Sequence, residues 1–233
     1  MAKKNKNISI VIPAYYEEEN LVHLLPRLIQ TIKLTKLAYE ILVLDSIKPL
    51  DKTEALCRKY KIRYLNRKVD NSYGSAIRTG IKEARGRYIL FMDADGSHSP
   101  EFIPKLLKFR HEYEIVVASR YVGNGKTENS LPLILMSRIL NWTYAYILSI
   151  PCKDVSNSFK IYRAIDIKSL KLKAKNFDIV EELIYKVCQN QPNTRIKEVP
   201  FLFKKRMFGK TKRNLFLFIF TFTFTIFKLR FFI

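Results

Sequence analysis

Two carboxylates one residue apart, Asp93 and Asp95, close the run Arg87-Tyr-Ile-Leu-Phe-Met-Asp-Ala-Asp-Gly-Ser-His98, which follows Gly86. A short apolar run bounded by glycine and a polar turn predicts a buried strand. In open α/β sheets ligands bind outside the carboxyl ends of the strands, so the two acids fall on a working rim. Side-chain direction repeats every second residue in extended chain, which sends both carboxylates roughly the same way. Two such anions repel unless a cation or a proton lies between them. A hard divalent ion with oxygen ligands satisfies the pair and keeps positions open for substrate phosphates. The plain alternative is a solvated acid pair in a turn, so the surrounding elements have to decide.

Those elements alternate. Ile8–Ile12 predicts a strand stopped at Pro13, and Leu21, Leu24, Leu25, Leu28, Ile29 and Ile32 recur at the spacing of one helix face between Glu17 and Lys33. Glu40–Asp45 predicts a second buried strand that again ends in an acid. A helix over about 51–60, a short strand Ile62–Leu65 and a helix Tyr73–Ala84 lead to the strand of the acid pair. After His98 come a helix near Pro100–Phe109 and a strand Glu114–Ala118. Strands alternating with helices argue for a mostly parallel sheet layered by helices. Further on, Asp154–Arg163 predicts a strand, Ile179–Cys188 a helix and Ile196–Phe203 an edge strand. Leu131–Ile150 is strongly apolar and aromatic with Arg138 as its only charge. A basic run, Lys204–Arg213, precedes an aromatic tail.

Composition narrows the class. At 233 residues and 48% hydrophobic, the chain has the material for one globular core. Its 42 Lys+Arg against 21 Asp+Glu give a net charge of +21, which favours a polyanionic partner such as nucleic acid, anionic lipid or a phosphorylated substrate. No zinc spacing, recognition helix or aromatic RNA-binding signature points to nucleic acid. Cys57, Cys152 and Cys188 are odd in number and scattered, the pattern of core thiols in a reducing, cytosol-facing protein. The five-residue apolar-rich run before Pro13 is too short for the core of an export signal.

Taken in order, the blocks resemble family 2 glycosyltransferases of the dolichol-phosphate mannose synthase type. They are Val11-Ile-Pro-Ala-Tyr15-x-Glu17-Glu-Glu-Asn20, Glu40–Asp45, Gly74-x-Ala76-x-x-x-Gly80-x-x-x-Ala84-x-Gly86 and Met92-Asp-Ala-Asp95-x-Ser97-His98-x-Pro100. Ala118-Ser-Arg120-Tyr121, Asp154–Arg163, Glu198-Val-Pro200 and Arg206-x-x-Gly209-Lys-Thr-Lys212 follow. Each block alone is weak, and their order and spacing make the resemblance specific from about Ile8 to Lys212. Several positions depart from the pattern: Tyr16 stands where Asn is usual, Ser46 for a second acid, Ser72 for glycine, Gly96 for an apolar residue, Asn157-Ser158 for Ser-Gly and Lys160 for Arg. A basic residue usual shortly before Ser137 is absent. The nucleotide-base loop after Asp45 is thus more altered than the metal and phosphate groups.

The resemblance implies a GT-A, Rossmann-like α/β fold over 1–213, followed by a hydrophobic membrane-associated tail over 214–233. It implies inverting transfer of a hexose, such as mannose from GDP-mannose, to a polyprenyl (dolichyl) phosphate at the cytoplasmic face of a membrane. In that scheme Asp93, Asp95 and Ser97 hold Mg2+ or Mn2+. Arg120 meets the donor diphosphate, and Pro13, Tyr15, Glu17, Asp45 and Asp93 line the nucleotide-sugar site. Arg206, Lys212 and Lys160 are candidates for the acceptor phosphate. The phosphate oxygen of the acceptor is already ionised near neutral pH, so what it needs is charge neutralisation rather than a general base. For each charged residue an ordinary ion pair or solvated charge is the alternative, and His98 is given no role.

The tail's uninterrupted apolar run, Leu215–Phe227, is 13 residues. At about 1.5 Å per residue a helix of that length falls short of the roughly 30 Å hydrocarbon core, so an interfacial or shallowly inserted helix is expected. Leu131–Ile150 is either a second membrane contact or core. Two rivals share these features: transfer of glucose or a modified sugar to undecaprenyl phosphate, and a basic membrane-binding relative whose active site has decayed.

Overall fold

The computed structural model describes residues 6–209 and 224–231. The first half alternates: β1 (Lys6–Pro13), α1 (Glu18–Leu34), β2 (Tyr39–Asp45), α2 (Thr53–Lys59), β3 (Arg63–Asn66), α3 (Tyr73–Glu83) and β4 (Gly86–Phe91). A 3-10 turn, Pro100–Phe102, runs into α4 (Ile103–Leu107), then β5 (Ile115–Ser119), β6 (Lys126–Thr127) and α5 (Leu131–Ile147). The rest is β7 (Lys160–Arg163), α6 (Ala164–Lys168), α7 (Ile179–Asn190), β8 (Ile196–Pro200), β9 (Leu202–Phe203) and a helix over 224–231, α8.

Seven strands form one sheet in the order β3-β2-β1-β4-β7-β5-β8. All neighbours are parallel except β7, which runs antiparallel to both β4 and β5. The central strands read as unbroken apolar runs because both faces are covered. Val11, Leu42 and Phe91 pack under α3, α5 and α7 on one face, while Ile10, Val43 and Leu90 pack under α1 and α4 on the other. From β1 the chain steps to β2 and β3 on one side and returns to β4 on the other, so the order reverses between β1 and β4. That reversal opens a crevice at the strands' carboxyl ends, where Pro13 closes β1 and the segment after Phe91 carries Asp93 and Asp95.

Three local expectations are revised. Only Lys160–Arg163 of the expected strand Asp154–Arg163 is extended. The residues before it form a loop pinned by Asn157, whose amide donates to the Ala118 carbonyl (2.5 Å) and whose oxygen accepts from the Phe159 N–H (3.2 Å). Of Leu131–Ile150, residues Leu131–Ile147 are helix with two characters: Leu140 and Tyr144 enter the core, whereas Leu131, Leu135, Ile139, Trp142 and Tyr146 are exposed. The described end of the tail is not wholly given to a membrane. In α8, Ile226 and Leu229 are buried in the core and Thr225 Oγ1 donates to Asp178 Oδ2 (2.9 Å), while Phe224, Phe227 and Phe231 face outward. No described helix is long and apolar enough to cross a membrane.

Candidate active site

The acid pair lies just past the strand, in a bend that begins after Phe91 and turns through Gly96 at φ +81°. Only glycine adopts that conformation without strain, and a Cβ at Gly96 would also sit 2.4 Å from Met207 Sδ. Because the backbone turns here, the two carboxylates do not point to the same neighbours as an extended Asp-x-Asp would. Asp93 accepts from the Tyr73 hydroxyl on Oδ1 (3.1 Å) and the Ser158 hydroxyl on Oδ2 (3.1 Å). Asp95 Oδ1 accepts from Ser97 N–H (3.1 Å) and Ser97 Oγ (2.6 Å), and Oδ2 faces Arg206 Nη1 at 3.4 Å.

His98 is a structural member of this bend. Its Nδ1 accepts the Asp93 N–H (3.0 Å) and its ring stacks on Phe159 at 4.8 Å. Burial lowers its pKa, which suits a neutral ring accepting a hydrogen bond.

The segment 204–209 folds across the bend as a strap. Lys204 N–H donates to the Ser97 carbonyl (3.2 Å) and Met207 N–H to the Asp95 carbonyl (2.9 Å). Phe208 exchanges hydrogen bonds with the Asn20 side chain and stacks on His23 at 5.2 Å. This brings Arg206 between Asp95 and Glu17, with Nη2 paired to Glu17 Oε1 and Nε donating to the Phe208 carbonyl (2.6 Å). Glu17, at the start of α1, also accepts from Asn20 (2.7 Å).

The residues expected to line a nucleotide-sugar, Pro13, Tyr15 and Asp45, gather at the ends of β1 and β2. Ala14 N–H bonds the Leu44 carbonyl (2.9 Å), which seats Pro13 and Tyr15 beside Asp45. Tyr16, at φ +56°, occupies the left-handed region that asparagine tolerates far better than a bulky side chain. Asp45 accepts from the Ser46 N–H (2.7 Å) and the Tyr64 hydroxyl (3.0 Å); burial, only partly offset by those bonds, raises its pKa. Arg67 was not anticipated from the sequence. It is buried, donates to the carbonyls of Ala14 (2.6 Å), Asn71 and Ser72, and ties the ends of β1 and β3 to the start of α3. Its position directly after the β3 run was the only available signal.

One expected role changes, and two others acquire unexpected partners. Lys160 is fully buried and donates to the Val155 (2.7 Å) and Asn157 carbonyls, so its ammonium cannot reach an acceptor phosphate. Burial also lowers its pKa. Arg120, 9% exposed, is held bidentate by Asp154 (2.9 and 2.6 Å), donates to Ser156 Oγ (3.0 Å) and lies against the rings of Tyr121 and Phe203. Burial acts to lower its pKa, but the Asp154 charge and hydrogen bonds outweigh it and hold the group above its ordinary value. Nε and Nη2 are thereby anchored on the loop before β7, and the diphosphate contact expected of Arg120 would have to be made from this fixed position. Ser97, also buried, donates its hydroxyl proton to Asp95, and the oxygen lone pairs that the expected metal role needs are not used by that bond. Lys212 lies outside the described residues.

Among the described residues no three His, Cys, Asp or Glu side chains form a metal cage. The donor set still fits a hard divalent ion held by one or two carboxylates and completed by phosphate oxygens and water. A guanidinium already lies beside the Asp95 oxygen that such an ion would use.

A mostly parallel seven-stranded sheet flanked by helices, with an acid pair at its switch point, is the GT-A architecture of nucleotide-sugar-dependent glycosyltransferases. Residues 9–171 match the family described as Glycosyl transferase family 2, and the chain belongs to that family. It is 33% identical over 212 residues to a dolichol-phosphate mannosyltransferase of Pyrococcus furiosus, covering 88% of this chain and 58% of that protein. It is 28% identical over 216 residues to the Saccharomyces cerevisiae dolichol-phosphate mannosyltransferase, covering 88% and 80%. Among solved structures, glucosyl-3-phosphoglycerate synthase of Mycobacterium tuberculosis in complex with phosphoglyceric acid superposes with a TM-score of 0.73 at 17% identity, over 96% of this chain and 80% of that one. The same enzyme with Mn2+, UDP and glucosyl-3-phosphoglycerate gives 0.71 at 18% identity, over 96% and 78%. At these identities the structural likeness speaks for the fold.

Proposed function

We propose that this family 2 glycosyltransferase moves a hexose, mannose from GDP-mannose first among candidates, onto a polyprenyl phosphate with inversion at the anomeric carbon. The observation that carries this reading is the strap over 204–209: it brings Arg206 onto the Asp95 mouth, where one anion must approach another. Names of the relatives from Pyrococcus and yeast point to the same donor and acceptor classes.

Asp95, with Asp93 beside it, would hold Mg2+ or Mn2+, which neutralises charge building on the leaving diphosphate. Pro13, Tyr15, Glu17 and Asp45 line the nucleotide side. Arg206 is paired with Asp95 and Glu17 and, were Asp95 to hold the metal, would be free to turn to the phosphate of the acceptor, with Lys212 as a second cation. The acceptor phosphate oxygen forms the new bond to the anomeric carbon, the bond to the diphosphate breaks, and no proton transfer is needed.

A lipid acceptor fits the exposed stripe Leu131, Leu135, Ile139, Trp142 and Tyr146 on α5 better than the water-soluble phosphoglycerate of the structural neighbours. With Phe224, Phe227 and Phe231 of α8 and a net charge of +21, it suits an anionic membrane interface, which favours association over spanning. The test is incubation with radiolabelled GDP-mannose, UDP-glucose and other nucleotide-sugars against dolichyl phosphate, undecaprenyl phosphate and 3-phosphoglycerate. Label in the organic phase supports the reading and identifies the pair. Label only in a water-soluble product overturns the lipid acceptor.

A further inference from the structure

Asp93 is held from three separate parts of the fold. Its Oδ1 accepts from Tyr73 at the first turn of α3, and its Oδ2 accepts from Ser158 in the loop before β7, each at 3.1 Å. Its own N–H is bound by His98 Nδ1 at 3.0 Å. The two hydroxyls come from different elements, so rotating the carboxylate away from its present plane breaks at least one bond.

Each clamp arm is itself supported. The Tyr73 ring stacks on Phe177 at 4.4 Å and 25°. The backbone behind it is packed so closely that a Cβ at Gly74 would meet the Ala174 carbonyl oxygen at 2.3 Å, and Gly74 N–H bonds the Lys175 carbonyl (2.7 Å). Asp178, next to Phe177, is the residue that α8 grips through Thr225. Ser158 is nearly buried and follows Asn157, which is anchored on β5 through the Ala118 carbonyl. The glycine that the family pattern carries at position 158 could not make such a bond.

We infer that Tyr73 and Ser158 are positioning residues that preset the Asp93 carboxylate for the metal-bound nucleoside diphosphate portion of the donor. A carboxylate fixed before binding loses less rotational freedom when the ligand arrives, so affinity gains by preorganisation. Asp95, by contrast, is supported from one side by Ser97 and on the other by Arg206, a partner that can be exchanged. This inference rests on the nucleotide-sugar reading of the site, whereas the clamp itself is testable without ligand.

The experiment is a pair of double-mutant cycles on the full chain, using Ser158→Ala and Tyr73→Phe, each alone and combined with Asp93→Ala, which removes both acceptor oxygens. Tyr73→Phe removes only the hydroxyl and keeps the stack on Phe177. In thermal unfolding without ligand, each hydroxyl deletion should lower Tm by a few degrees, with a smaller shift when Asp93 is already Ala. Equal shifts in both backgrounds overturn the clamp. In calorimetry with Mn2+ and GDP, each hydroxyl deletion should weaken binding about fivefold, Ser158→Thr should restore it, and neither deletion should matter further in Asp93→Ala. Unchanged affinity in both single variants overturns the positioning role. Wild-type protein that binds neither GDP nor UDP with Mn2+ sinks the nucleotide-sugar reading and the positioning role with it, while the Tm cycle still decides the clamp.

Discussion

Arg120 and Arg206 are both phosphate candidates by sequence, yet the structure gives them opposite surroundings. Arg120 is buried against Asp154 through two hydrogen bonds and sandwiched near Tyr121 and Phe203. Arg206 lies on a strap, its side chain 21% exposed, and its carboxylate partners are Asp95 and Glu17 at the mouth itself. A guanidinium paired with a buried carboxylate holds the fold; one paired with prospective ligand-binding groups can change partners when the ligand comes. The difference teaches that the chemistry of a basic residue is set less by its motif than by which acid it meets.

The comparison can be broken most severely at its acid side. Asp95→Asn should lower sugar transfer about a thousandfold, in line with losing a principal electrostatic stabiliser of the leaving group. Far-UV circular dichroism and Tm should stay near wild type, and wild-type turnover with divalent ion present would remove Asp95 from the reaction.

Next, Arg120→Ala should cost about 3–5 kcal/mol of stability, because it strands Asp154 as a buried unpaired charge. Urea unfolding reads this directly. A stable Arg120→Ala protein with lost nucleotide binding would return Arg120 to the phosphate site. Arg206→Ala should cost less stability than Arg120→Ala, because buried Glu17 keeps its Asn20 hydrogen bond, and should weaken acceptor use by about 1.5–3 kcal/mol, tenfold or more. Initial rates against acceptor concentration, beside calorimetry with nucleoside diphosphate and metal, separate the two effects.

The smallest effect concerns an ion-pair cluster away from the mouth. Burial pushes the Glu114 pKa up, but hydrogen bonds from Arg195 and the charge of Arg163 prevail and bring it down to about 2. Its folded pKa is therefore below the unfolded value, so its stabilisation is present above about pH 4.5 and is lost as pH falls toward about 2. Glu114→Gln should cost about 1.5 kcal/mol near neutral pH and flatten stability against pH in that acid window. An unaltered acid slope would contradict the assignment.

Much of the donor side was legible because its information is local. Unbroken apolar runs marked β1, β2, β4 and β5, the leucine spacing marked α1, and Asp93 and Asp95 followed the run of β4. What stayed hidden depends on distant partners. Arg206 meets Asp95 across 111 residues, Ser158 meets Asp93 across 65, and Arg120 meets Asp154 across 34. Periodicity contains none of these pairings. Lys160 misled because a lysine inside a motif reads as available charge, whereas here its ammonium caps carbonyls of the loop before β7. The same limit applied to α8, whose aromatic pattern suggested lipid but whose Ile226 and Leu229 pack into the core.

The central claim is that the mouth between β1 and β4 binds a nucleoside diphosphate through a metal held at Asp95. Calorimetric titration of GDP and UDP into the full chain, with Mn2+ and then with a chelator, tests it most directly, with Asp95→Asn run alongside. The account predicts binding of at least one nucleotide with Mn2+, little binding with chelator, and little in Asp95→Asn under either condition. Equal affinity with and without metal, unchanged by Asp95→Asn, would contradict it.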